Sequence, residues 1–68
     1  MREDHYLLQF FKYEHLPAHL QALSKPFHDM AHDLRDKLQN NPETTTALRK
    51  LLEAKDCAVR SVLYKGEQ

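Results

Sequence analysis

Apolar residues recur along this chain at helical spacing, and they do so in two long blocks. The first block reads Leu16, Leu20, Leu23, Phe27, Met30, Leu34 and Leu38. Steps of four and three keep these side chains on one stripe of an α-helix. The second block runs from Ala47 through Leu48, Leu51, Leu52, Ala54, Ala58, Val59 and Val62 to Leu63. Between the blocks lies Gln39-Asn40-Asn41-Pro42, a connection too short for anything but a tight reversal. Asn41 suits an N-cap, Pro42 the first helical position, and Glu43 the first turn, where the helix dipole favours a carboxylate. The pattern predicts a helix from Pro42 to about Lys65, with Gly66 just past its end.

The earlier helix starts near Leu16, with Pro17 at its first position, and meets Pro26 inside. A mid-helix proline removes one hydrogen bond and costs about 3 kcal/mol. The stripe nevertheless keeps its phase across Pro26, which favours one helix kinked there over a fresh start capped by Ser24. The first fifteen residues differ in character. Tyr6, Phe10, Phe11 and Tyr13 gather most of the chain's aromatics, on a short helix from about Asp4 to Phe11 or on an extended arm. The expected fold is therefore all-α: residues 1–15 form an aromatic arm or short helix, and residues 16–66 an antiparallel helical hairpin, in one domain.

Width matters next. Stepped at about 100° per residue, the apolar positions of the second helix fill about half its circumference. One antiparallel partner needs a narrower stripe, so the excess predicts contact with further subunits. A chain of 68 residues points the same way. At that size a single core supplies about 3–5 kcal/mol, and small chains add disulfides, a metal or partner subunits. Cys57 is the only cysteine and cannot bridge within the chain. A lone thiol suits a reducing compartment. No apolar run is long enough to span a bilayer, and Arg2, Glu3 and Asp4 are not followed by the apolar core of a signal peptide. A cytoplasmic location is expected.

Ten basic and ten acidic residues cancel. General binders of duplex DNA or RNA carry a basic surplus, so that class of partner is not expected. A local anion site is compatible with neutrality. Lys55 falls near the middle of the second helix's apolar arc, where an unpaired ammonium is too costly to leave alone. It either snorkels or pairs with a carboxylate at a subunit interface, or it faces an anionic ligand there. Arg60 lies off the stripe, on a solvated or interface face.

Two histidine pairs, His15/His19 and His28/His32, have the i, i+4 spacing of helical metal ligands. On one continuous helix the pairs point apart, and no second cysteine supports them, so no metal or other cofactor is expected. Nor is catalysis: Cys57 has no obvious base beside it, and a single glycine leaves no phosphate-cradling loop. There remain the aromatic segment and Lys25. Aromatic faces stack on nucleobases, and a lysine offers a point charge to phosphate. Against this, Lys25 is placed to pair with Asp29 at i+4, and the aromatics to enter the core.

Specific residues then carry more than periodicity does. The run Phe11-Lys12-Tyr13-Glu14-His15-Leu16-Pro17, followed by Leu20-Gln21, Ser24-Lys25-Pro26-Phe27 and Met30-Ala31, forms one half of a resemblance. Asn41-Pro42-Glu43-Thr44, with the stretch from Ala47 to Arg60, forms the other. Together these resemble the small hairpin-domain proteins of bacteriophages that act as anti-CBASS cyclic-nucleotide sponges. The resemblance spans Phe11 to Leu63. It implies a helical hairpin assembled into a hexamer that binds cyclic dinucleotides and, in some members, cyclic trinucleotides at separate sites. Such binding withholds the messenger from the host's defence effector and breaks no bond. The family's base-stacking tyrosine falls on Tyr13. Its basic residue falls at or next to Ser24, so Lys25, one position on, is the phosphate candidate. Lys55 and Arg60 are the charged candidates for a second site. The alternative from another class is an oligomeric protein–protein adaptor without a nucleotide ligand.

Overall fold

The computed structural model describes residues 5–65. A 3-10 helix, Tyr6–Phe11, precedes two long helices, α1 (Ala18–Lys37) and α2 (Pro42–Leu63). The four-residue connection Leu38–Asn41 folds α2 back along α1 as a hairpin, and the 3-10 helix packs against both. No described helix is long and apolar enough to cross a membrane.

The start of α2 follows its sequence signals. Asn41 is the N-cap, and its Oδ1 accepts the Thr44 backbone N–H at 2.9 Å, with Pro42 opening the helix and Glu43 in its first turn. The buried Thr44 hydroxyl donates to the Gln39 carbonyl, which fastens the connection. At the other end α2 stops at Leu63, two residues before the expected Lys65. Tyr64 turns extended and its N–H reaches only the Ser61 carbonyl, at 3.4 Å. Gly66, expected just past that end, lies outside the described residues, as does Asp4, the expected start of the N-terminal helix.

Helix α1 starts one turn-defining residue later than expected. Pro17 is its N-cap rather than its first residue, and the Pro17 carbonyl accepts from Leu20 and Gln21 at 2.9 Å each. Proline has no side-chain acceptor to offer, and the loop is secured instead by Gln21. Its amide donates back to the carbonyls of Leu16 (2.7 Å) and Glu14 (3.2 Å). Helix α1 runs on through Pro26, so Ser24 caps nothing and lies mid-helix. Both Pro26 and Ala22, whose carbonyl loses its partner, are exposed. Water can then satisfy that carbonyl, which lowers the cost of the proline.

The buried face of α1 differs from the expected stripe. Leu20, Ser24 and Ala31 are its buried residues, with Phe27 and Leu34 partly buried, whereas Met30 is 53% exposed. The steps are still four and three, but small residues occupy the centre. Ser24 and Ala31 are fully buried because their short side chains let a neighbouring element approach closely, while Met30 falls to the flank. One core results, in which Leu7, Leu8 and Phe11 of the 3-10 helix meet Ala31 and Leu48. The N-terminal aromatics divide accordingly: Phe11 is fully buried, and Tyr6 and Phe10 remain more than half exposed.

Three polar ties from α2 hold the 3-10 helix down. His5 Nδ1 accepts the Leu7 N–H at 3.2 Å, which makes Nε2 the protonated nitrogen and lets it donate to Thr45 Oγ1 at 3.0 Å. Arg49 donates to the Tyr6 hydroxyl at 3.2 Å, and Lys55 Nζ donates to the Phe10 carbonyl at 2.7 Å. The partner of the buried Lys55 is thus a backbone carbonyl of its own chain. A carbonyl at the open end of a 3-10 helix carries partial negative charge and takes one of the three ammonium donors.

Candidate functional site

A groove of about 620 Å³ opens between the 3-10 helix and α1, with His5, Tyr6, Lys12, Glu14, His28 and His32 among its lining residues. Tyr13 stands beside it. The Leu16 N–H bonds the Tyr13 carbonyl at 3.0 Å, a turn that carries the chain from the 3-10 helix into α1. That turn leaves Tyr13 half-buried, with its ring edge-on to His28 at 5.0 Å between centroids and 70° between planes. His28 in turn lies 4.3 Å from His32, one helical turn on. On the opposite wall His5 stacks on Tyr6 at 4.8 Å. Rings therefore line both sides of the groove.

Neither Tyr13 nor Lys25 lines the groove itself, and α1 carries a charged pair next to His28. Lys25 Nζ donates to Asp29 Oδ2 at 2.7 Å, across one helical turn. The other carboxylate oxygen, Oδ1, lies 3.1 Å from His28 Nδ1. An ionised carboxylate can only accept, so Nδ1 is the protonated nitrogen of that pair. The Lys25 hydrogen bond holds the Asp29 carboxyl below the usual aspartate range, with the His28 bond adding to it. Reciprocally, the Asp29 hydrogen bond and charge raise the Lys25 ammonium above its ordinary value. Tyr13 and Lys25 are thus linked only indirectly, through His28 and Asp29.

The other sequence candidates lie elsewhere. Ser24, one residue from Lys25, is fully buried, and its Oγ makes no hydrogen bond. Lys55 is in the core, tied to Phe10. Arg60 is exposed on the last turns of α2, with its guanidinium 3.3 Å from Cys57 Sγ. Together with Ser61 and Tyr64 these two line a second, shallower depression of about 480 Å³. So Tyr13 and Lys25 are linked through His28 and Asp29, Ser24 next to Lys25 faces the core instead, and Lys55 and Arg60 lie on α2.

The two histidine pairs, alike in sequence, also part company. His28 and His32 share a helix face, whereas His15 precedes α1 and is off the helix that holds His19. Among the described residues no three His, Cys, Asp or Glu side chains come together as a metal site. His28 and Asp29 belong to the candidate site although sequence reasoning assigned neither to it. The signal was present: Lys25, His28, Asp29 and His32 follow at steps of three, one and three, all within reach on neighbouring helical turns. Compared with known protein families, curated proteins and solved structures, the chain matches none.

Proposed function

We propose that the chain binds cyclic oligonucleotide second messengers and holds them intact, in the manner of the anti-CBASS sponges it resembles. Cyclic dinucleotides are the primary ligand class and cyclic trinucleotides a second. Sequestration in the cytoplasm of an infected bacterium would then keep the messenger from its defence effector. The observation that supports this reading is the chain of contacts from the Tyr13 ring to His28, from His28 to Asp29 and from Asp29 to Lys25, which meets an open ring-lined groove at His28. An aromatic face for a base and a cation for a phosphate are the two elements that nucleotide binding needs.

Self-association belongs to the same proposal. Val62, Leu63 and Tyr64 at the end of α2 are each more than half exposed, and so are Met30 and Phe10. A second copy covering such residues would recover apolar burial that one hairpin forgoes. A twofold interface presents each residue twice, which suits the two bases and two phosphates of a cyclic dinucleotide, and a hexamer of dihedral symmetry contains such interfaces. The exposed end of α2 also favours the adaptor reading, in which another protein docks there and no nucleotide binds.

Calorimetric titration with a panel of cyclic di- and trinucleotides separates the two, with Tyr13→Ala and Lys25→Ala alongside. Tight binding that both variants lose, with intact ligand recovered after denaturation, is the expected result. Linear product in the recovered ligand, or no affinity across the panel, refutes the sponge. Affinity unchanged in both variants refutes this site.

A further inference from the structure

A phosphate approaching Lys25 meets more than an ammonium. The Asp29 carboxylate lies 2.7 Å from Nζ, so the pair looks nearly neutral from outside. A lone lysine in that state is a weak anion site. The remaining group bonded to Asp29 is His28, and its chemistry alters this balance.

While neutral, His28 donates from Nδ1 to Asp29 and presents a lone pair at Nε2, which repels a phosphate oxygen. Taking up a proton leaves the Asp29 bond in place and turns Nε2 into a donor. One proton then offsets the Asp29 charge and supplies a second contact for the anion. Imidazole is the side chain that can do this near neutral pH.

The neighbours of His28 permit that change. Along α1, Asp29 favours the cation and Lys25 opposes it, while Lys25 is itself held by Asp29. The His32 ring lies 4.3 Å away, and a cation there would oppose one on His28. Across the groove Lys12 and Glu14 carry opposite charges, and His5 is committed to Leu7 and Thr45. Tyr13, from the connecting turn, offers its ring rather than a charge.

We infer that His28 is a second phosphate-binding cation of this site, formed by uptake of a proton from solvent as the cyclic nucleotide binds. This rests on the sponge reading above and adds to it a contact residue and a pH dependence. The sign follows from linkage. A ligand that favours protonated His28 binds more tightly as pH falls, and for a rise of about one unit in the imidazole pKa the gain from pH 8 to pH 6 is about three- to tenfold. The phosphodiesters of a cyclic dinucleotide do not titrate in that range.

The experiment is titration of the full chain with a cyclic dinucleotide between pH 6 and pH 8, in two buffers of different ionisation enthalpy. The expected result is affinity that rises towards pH 6, with net proton uptake of up to one per His28 in contact with ligand. His28→Gln should flatten the profile. Binding that is independent of pH in the unaltered chain overturns the inference while the sponge reading stands. So does a slope that survives His28→Gln, and neither readout of the unaltered chain depends on a variant folding. Absence of binding at every pH overturns the sponge reading and this inference with it.

Discussion

Replacing Lys55 by methionine separates a structural tie from a ligand contact. Lys55 is 9% exposed, and its ammonium donates to the Phe10 carbonyl at 2.7 Å. A hydrogen bond from a charged donor contributes about 1.5–3 kcal/mol net. Methionine keeps the packing of the four-carbon stem and removes the cost of holding a charge out of water. Phe10 itself is half exposed, so water recovers part of what its carbonyl loses. The balance is a loss of about 1–2 kcal/mol, or about 5–15 °C in thermal midpoint for a domain of this size. Because Lys55 fastens the end of the 3-10 helix, the loss should be local as well. Amide exchange in residues 6–11 should rise more than exchange in α1 or α2. The assays are thermal melts followed by circular dichroism at one fixed protein concentration, and amide hydrogen exchange. An unchanged midpoint with unchanged exchange in residues 6–11 would refute the tie. If cyclic-nucleotide affinity fell at the same time, Lys55 would instead be a ligand contact.

Two further outcomes follow from the structure. Pro26→Ala restores a backbone donor on an exposed face of a helix that is already continuous, and should stabilise the chain. The helical gain of up to about 3 kcal/mol is reduced by water already serving the Ala22 carbonyl and by about 0.4–1 kcal/mol of added unfolded-state entropy, leaving about 1–2 kcal/mol. A lower melting midpoint would show that the proline is required for the course of α1. Asp29 should titrate below the ordinary aspartate range by carbon-detected NMR, and Lys25→Ala should move it upward. Its folded pKa is depressed, so its small contribution to stability is present above the ordinary aspartate pKa and is lost as pH falls through the folded one. Lys25 and Asp29 are both more than half exposed, so salt should weaken the pair. An Asp29 midpoint indifferent to Lys25→Ala would remove the pair from the site.

Helix existence was written in local sequence, because its causes are local. Asn41, Pro42 and Glu43 fixed the start of α2 through one side-chain cap, one missing N–H and one dipole contact. Four-and-three spacing fixed two amphipathic helices, and a connection of four residues left only a hairpin. The Lys25–Asp29 pair was legible for the same reason, since i+4 neighbours on a helix meet whatever surrounds them. Tertiary contact decided the rest. Met30 and Ala31 are adjacent in sequence and both apolar. Only the approach of the 3-10 helix and α2 selects the smaller for the core and leaves the larger outside. Lys55 reads as a misplaced charge until a carbonyl 45 residues earlier is brought to it. His28 and His15 look equivalent in their pairs until one is seen on α1 and the other before it. Likewise, nothing local sets Tyr13 against His28, because that contact depends on the turn closed by Leu16 and on the 3-10 helix packing across α1. Local sequence determined that the two long segments are amphipathic helices, and left the N-terminal segment open between a short helix and an arm. Which apolar residue is covered, which charge is satisfied and which rings share a groove were set by long-range packing, whose energy depends on shape at contacts that no local pattern encodes.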